Sequence, residues 1–416
     1  MTIEIPKKKE LQVPSQMFDI LMAYAANVKI AKEEGKPVVW SSVLIPKEIF
    51  QAMDVSVIYL ELLSAVVSLM QSSGHYCEIA EEKGFSRDVC AFHRCFIGCA
   101  AAEERDPLLD AVFSTPDLII ATNLPCISES KSLLFSAKHF NCPYILIDTP
   151  LNTWENFDVP DFTVEYYVSQ LREAISLMQE QGYIFDLDRL KETVDLSRRL
   201  MLILKEVESY RKAVPTPIGP VDALWCAAGT RLAEPKIALD MFAQLRDELK
   251  ERVENKIGVL DNEKLRLYFF GVPSVYNLEL LNYPEKYGAI MIKSWLEYLF
   301  GGSFDPSILN SEKPLESLAV LAITNILNPP FGRMLDFTVE EAKEFHADGI
   351  LSVVKRSCGL LPGMTRPIKD AVFDQVGIPT TIFDLDGLDT RERDDITAMT
   401  NIDSFIETLL ASKRRS

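Results

Sequence analysis

Three thiols crowd the stretch Asp88-Val89-Cys90-Ala91-Phe92-His93-Arg94-Cys95-Phe96-Ile97-Gly98-Cys99, and two more, Cys126 and Cys358, each stand just past an apolar run. Thiolates bind iron or zinc when several sulfurs reach one site, and close spacing is one route to that. If Cys90 to Glu104 is helical, Cys95 and Cys99 are i, i+4 neighbours. Cys90 then lies about 140° round the helix from Cys95 at about 100° per residue, so the three do not share one ion. Cys90 follows Ser86-Arg87-Asp88 at the expected helix start, where free N–H groups and the macrodipole favour a thiolate. Cys95 and Cys99 read as small core or near-site residues. A set made of Cys90, Cys126 and Cys358 would supply three thiolates, one fewer than hold an ordinary 4Fe-4S cluster, and so would leave one iron open as a Lewis acid. Spacing alone leaves zinc, or no metal at all, open beside this reading.

Other candidates are sparser. Glu61 follows the apolar run Val55 to Leu60, and Ser41 and Ser42 end the run before it. Acids and hydroxyls at strand ends are candidates for proton transfer. The four histidines, His75, His93, His139 and His346, show no ligand spacing and read as surface or structural residues, His93 being the one beside Cys90. The sequence holds no glycine-rich dinucleotide fingerprint, Walker P-loop or His-Glu-x-x-His, so nothing supports nucleotide hydrolysis or NAD chemistry.

The elements that position these residues follow from hydrophobic patterning. A helical stripe from Gln16 to Glu34 follows an N-terminal arm, residues 1–15. Continuous apolar runs predict buried strands at 38–42, 55–60, 117–122 and 143–148, with a helix over Pro46 to Met53. Residues 161–255 are helical in pattern, broken at Val214 to Pro220. A second α/β block, 256–416, has strands at 265–271, 289–292, 349–354 and 379–385, with helices near 316–327, 339–345, 366–375 and 402–410. Apolar strands separated by helices predict parallel sheets covered on both faces. The fold class expected is α/β: two Rossmann- or flavodoxin-like parallel-sheet domains, the first spanning 16–160, with a helical insertion and a cluster in the cleft between them. Both blocks share one unit: strand, cysteine, helix, strand. Each cysteine follows the carboxyl end of a strand, where open α/β sheets place ligands.

At 416 residues with 48% hydrophobic and 25% charged residues, the chain can bury more than one core. A formal charge of −18 argues against nucleic acid, whose binding needs basic surface. The longest apolar runs, such as Leu318 to Ile323, fall far short of the roughly 20 residues of a membrane helix. The lysine run Lys7-Lys8-Lys9 has no apolar segment behind it, so no signal peptide is expected and the protein reads as cytoplasmic, with reduced cysteines.

Taken together, these segments resemble the large, alpha-type subunit of the 2-hydroxyacyl-CoA dehydratase and benzoyl-CoA reductase family over nearly the whole chain. Gly35-Lys36-Pro37-Val38-Val39-Trp40-Ser41-Ser42 is similar to the family's first strand. Cys77 to Cys90, followed by Arg94 and Gly98, resembles the segment presenting the first cluster cysteine. Thr122-Asn123-Leu124-Pro125-Cys126 resembles the second and Lys355-Arg356-Ser357-Cys358 the third. Gly377-Ile378-Pro379 with Asp384-Leu385-Asp386 and Asp389 resembles the closing strand and its acidic loop. The chain departs from the pattern at His93, where alanine is usual, at Lys355, where asparagine often stands, and after Cys358, where a basic or bulky residue is missing.

The resemblance implies a 4Fe-4S cluster on Cys90, Cys126 and Cys358, a heterodimer with a related smaller subunit, and an ATP-hydrolysing iron-sulfur activator that injects one electron. It implies dehydration of an (R)-2-hydroxyacyl-CoA to an enoyl-CoA through a ketyl radical anion, with the thioester carbonyl on the open iron. Glu61 takes the place of a catalytic acid or base and Ser41 that of a hydroxyl near the leaving group. A subunit like benzoyl-CoA reductase, or a partner that carries a cluster without catalysing, are the competing readings.

Overall fold

The apolar runs form two four-stranded, all-parallel sheets. The structure, a computed structural model, describes residues 11–152, 159–297, 305–328 and 331–414. The first sheet contains β1 (Val38–Ser41), β2 (Ser56–Tyr59), β3 (Leu118–Thr122) and β4 (Tyr144–Ile147), in the order β2-β1-β3-β4. The second contains β5 (Leu265–Phe270), β6 (Ala289–Ser294), β7 (Gly349–Val354) and β8 (Thr380–Asp384), in the equivalent order β6-β5-β7-β8. All eight strands lie where the apolar runs predicted them. The common order puts a topological switch between β1 and β3 and again between β5 and β7. At such switches the loops leaving the carboxyl ends part to opposite sides and open a crevice.

Along the first block run α1 (Gln12–Glu33), α2 (Lys47–Ala52), α3 (Leu60–Leu69), α4 (Ser73–Glu82), α5 (Ala91–Ala101), α6 (Pro107–Val112) and α7 (Ile127–Phe140). Helices α8 (Asp161–Glu180), α9 (Leu187–Arg211), α10 (Pro220–Leu232) and α11 (Pro235–Glu254) follow with no strand among the described residues between them. The second block carries α12 (Pro314–Ile323), α13 (Phe331–Glu344), α14 (Pro362–Val376) and α15 (Asp395–Lys413). Helix α1 begins at Gln12, inside the stretch expected to be an arm, because Val13 and Met17 bury themselves in the core of α9 to α11. The observed α13 to α15 start earlier than expected. For α15 a polar cap hides the start from hydrophobic periodicity: Asp394 accepts from the Thr397 N–H at 3.1 Å. Among the described residues no helix is long and apolar enough to cross a membrane.

Strand alternation assigns the faces. Val39, Val57, Ile120 and Ile145 of the first sheet and Tyr268, Phe270, Ile290 and Ile292 of the second point into one continuous core. The opposite face of the first sheet packs Val38, Trp40, Ile58 and Ile119 against α5. Trp40 sits edge-on to Phe96, with ring centroids 4.8 Å apart, and donates its indole N–H to the Ser114 carbonyl at 2.9 Å.

Helix α5, which starts directly after Cys90, is pressed backbone-to-backbone on α4 at Gly98, where an added Cβ would lie 1.8 Å from the Tyr76 carbonyl oxygen. Backbone cannot yield as a side-chain tip can, so only glycine fits. Gly98→Ala should lower stability by about 1–3 kcal/mol or more, read as a lower urea midpoint. The control Gly363→Ala, where a Cβ meets nothing within 4 Å, should leave the midpoint level or raise it.

Candidate functional site

Chain direction brings three thiols to the carboxyl ends of the sheets. Cys90 is the N-cap of α5 and its carbonyl accepts from the N–H of His93 (2.9 Å) and of Arg94 (3.0 Å). Cys126 is the N-cap of α7, just past β3. Cys358 lies in the loop between β7 and α14, where its sulfur accepts the Leu361 N–H at 3.5 Å. Each of the three is partly exposed, whereas Cys77, Cys95, Cys99 and Cys226 are buried. Cys95 and Cys99 are thus core residues of α5, as their helical phase predicted. Burial first, then the charges of Glu129 and Cys90, push the Cys126 thiol up to about 12, and Cys358 adds to the effect. Cys126 thus lies within electrostatic reach of both Cys90 and Cys358, across the two sheets. Among the described residues no three His, Cys, Asp or Glu side chains gather around a single metal ion. In a cubane each thiolate binds a different iron, so the two arrangements are distinct.

Two nitrogen-bearing side chains face these sulfurs. Lys355 is 1% exposed; its Nζ lies 3.6 Å from Cys90 Sγ and 4.1 Å from the centre of the Phe92 ring. Burial disfavours its charge, but Cys90, Asp386 and Cys358 outweigh that and raise its pKa, so it stands as an ammonium. His93 Nε2 lies 3.5 Å from Cys126 Sγ and Nδ1 lies 3.3 Å from Ser132 Oγ. Burial first and the Lys355 charge second lower its pKa to about 3, so the ring is neutral. Both side chains stand at positions where the sequence leaves the family pattern. The other three histidines are exposed.

A carboxyl pair adjoins the thiols. Glu61, in the first turn of α3, accepts from Ser42 Oγ at 2.9 Å and from the Val43 N–H at 3.1 Å. Burial raises its pKa against these hydrogen bonds. Beside it Glu129, 1% exposed, has a pKa raised well above the carboxylate range by burial and by the Glu61 charge, and its Oε1 is buried without a hydrogen-bond partner. Two such neighbours cannot both ionise, and Glu129 keeps the proton. Sequence reading missed Glu129 because an acid three residues past an N-cap looks like a capping-box residue in solvent. Only its position after Cys126 hinted otherwise. The Ser41 hydroxyl donates to the Ile120 carbonyl at 2.9 Å, across the β1–β3 pair, and Ser42 is the hydroxyl bonded to the acid. Alternation along the strand sends the two neighbours to opposite sides.

The loops that carry the thiols are tied across the blocks. Ser357 Oγ accepts the Ala91 N–H at 3.2 Å and donates to Asp386 at 3.1 Å, joining the Cys358 loop to the start of α5. Arg94, 2% exposed, pairs with Glu81 of its own block and, at 3.1 Å, with Asp389 of the other, which is itself fully buried. Arg391 adds a second guanidinium on Asp389 at 2.7 Å.

Fold and geometry together are those of a two-sheet α/β protein whose candidate site gathers thiols from loops of both blocks beside two carboxyls of the first. The family model for the 2-hydroxyglutaryl-CoA dehydratase D-component matches residues 42–409, and the chain belongs to that family. It is 27% identical over 424 residues to the (R)-2-hydroxyisocaproyl-CoA dehydratase alpha subunit of Clostridioides difficile, covering 98% of each chain. It is 28% identical to the (R)-phenyllactyl-CoA dehydratase alpha subunit of Clostridium sporogenes, covering 92% of each. Against (R)-2-hydroxyglutaryl-CoA dehydratase subunit alpha of Acidaminococcus fermentans the identity is 23%, over 95% of this chain and 97% of that one.

The inter-block clamp has a pH signature. Burial raises the Asp389 pKa, but the hydrogen bonds and charges of Arg391 and Arg94 outweigh it and hold the carboxyl below its ordinary value. Its contribution is complete above the unfolded pKa of about 3.9 and is lost as pH falls through the folded value. Asp389→Asn should cost about 3–5 kcal/mol at pH 7 and should flatten the acid limb of a stability-versus-pH curve measured by urea unfolding.

Proposed function

We propose that this chain is the alpha-type, iron-sulfur subunit of an (R)-2-hydroxyacyl-CoA dehydratase, a lyase that removes water to give an enoyl-CoA. One observation carries the reading: in a chain of the dehydratase family, Cys126 lies within electrostatic reach of both Cys90 and Cys358, three partly exposed thiols from separate loops of two sheets, beside a buried carboxyl pair. Cys90, Cys126 and Cys358 would hold a 4Fe-4S cluster. The donor set fits: the three thiols are partly exposed where Cys95 and Cys99 are buried, and Lys355 Nζ stands 3.6 Å from Cys90 Sγ as a donor to a ligand sulfur. When bound, the cluster supplies one electron for a ketyl radical anion of the thioester and an open iron as Lewis acid.

The chain's own residues move the protons. Loss of water takes the 2-hydroxyl group and one β-hydrogen, so one acid-base site serves both departures. Glu61, its two oxygens fixed by Ser42 and by the Val43 N–H, takes the β-proton or delivers a proton to the departing hydroxyl. Burial raises the Glu61 pKa, which favours a carboxyl that can hold a proton as well as release one. Glu129 holds the partner proton in reserve. The relatives are named alpha subunits, which supports a heterodimer with a related smaller subunit. An acyl-CoA substrate, an ATP-hydrolysing iron-sulfur activator and a cytoplasmic setting complete the reading.

Anaerobic co-purification with the partner subunit tests it. The wild type should carry about four irons and four sulfides on this chain, and Cys90→Ser, Cys126→Ser and Cys358→Ser should each lose iron. Full retention in all three, with loss in Cys95→Ser or Cys99→Ser, would overturn the ligand set. Glu61→Gln should keep its iron and lose about 10²- to 10⁴-fold in turnover. ATP should be needed to start the reaction and not in proportion to product, as a reductase would require.

A further inference from the structure

Resting on the cluster reading, we infer that Lys355 is a positioning residue for charge: it sets the reduction potential of the cluster by holding an ammonium against the Cys90 ligand. The potentials of such clusters are set by net charge, by hydrogen bonds to the sulfurs and by solvent exposure, and Lys355 acts on all three. Its Nζ lies 3.6 Å from Cys90 Sγ, within reach of an N–H to sulfur hydrogen bond. The side chain is 1% exposed, so water and salt do little to screen it. Phe92, whose ring centre is 4.1 Å from the ammonium, closes that side with an apolar face that tolerates a cation.

The other charged groups around the lysine are accounted for. Asp386 attracts it electrostatically, but its carboxylate is engaged by the Ser357 hydroxyl at 3.1 Å and by the Leu388 and Asp389 N–H groups, both at 2.9 Å. Arg356, next in sequence, is exposed and turned to Asp384 at 2.6 Å. His93 is neutral and faces Cys126 instead. Glu61 and Glu129 stand in the first turns of α3 and α7, Glu129 within electrostatic reach of Cys90, and neither is among the charges that act on Lys355. Lys355 therefore directs its charge at the thiols, and the side chain is held there from the end of β7 by burial on every side.

The consequence is directional. Reduction adds one electron and hence one negative charge to the cluster, and a fixed cation beside a ligand sulfur stabilises the reduced form over the oxidised one. Lys355 thus makes the first electron easier to load and leaves less driving force for passing it on.

The experiment uses the holo complex with its partner subunit, purified without oxygen. Titanium(III) citrate supplies one electron per cluster and is itself oxidised to titanium(IV), and the reduced form is counted by EPR at set ambient potentials. Lys355→Met, which keeps the length and apolar stem, should raise the oxidised-to-reduced ratio at a fixed potential by about tenfold or more, about 59 mV for a one-electron couple. Lys355→Arg, which keeps the charge, should stay within about threefold of the wild type, about 28 mV by the same constant. An unmoved midpoint in Lys355→Met with full iron would overturn the inference and leave the cluster reading standing. Loss of iron from Lys355→Met, rescued by the neutral Lys355→Gln as well as by Lys355→Arg, would overturn it too, because space-filling and not charge would then be the lysine's role. A wild type without iron would overturn the cluster reading itself.

Discussion

The contact on which the rest depends is the pair of a buried guanidinium on α5 with a buried carboxylate from the loop after β8. Arg94 and Asp389 are each almost wholly withdrawn from water, and charges so placed are costly unless each meets its partner at good geometry. The pair forms only when the two α/β blocks stand in one relation. Around it, short links to neutral partners repeat the constraint. The Ser68 hydroxyl donates to the Leu388 carbonyl at 2.9 Å and the Gly74 N–H to Thr390 Oγ1 at 3.1 Å. Helix α5 thereby holds Cys90 with its own first turn while its second turn is fixed to the opposite block.

Charge at the site is arranged by loop and not by chance of proximity. The first sheet contributes acids, Glu61 and Glu129, that burial keeps near neutrality, while the second contributes an ammonium that its thiol neighbours keep charged. Such a division separates proton handling from electrostatic support of the sulfurs. The Ser42 hydroxyl and the Val43 N–H work against burial at Glu61, both lowering the pKa that burial raises.

Much of this could be read in the chain before any coordinates. Parallel strands buried on both faces leave continuous apolar runs, so all eight were legible, and with them the strand ends that carry Cys126 and Cys358. Cys90 was legible as a helix start. Polar contacts between distant segments were not. Lys355 is written as an ordinary lysine beside an arginine, and only the fold reveals that it faces Cys90, 265 positions away. Glu129 imitates a cap. Ser41 and Ser42 differ by one step along a strand, and which of them meets Glu61 depends on a register that patterning alone does not supply.

The two sheets repeat one strand order, and each repeat places a cysteine shortly past the end of an inner strand, Cys126 after β3 and Cys358 after β7. Neither repeat has the full set of thiols: Cys90 and Cys126 belong to the first, Cys358 to the second. The site therefore behaves as a logical conjunction, assembled only when both halves are folded and docked. With the three thiols holding a cluster as proposed, a chain with one sound half would supply too few of them, and occupancy would report the integrity of the whole molecule.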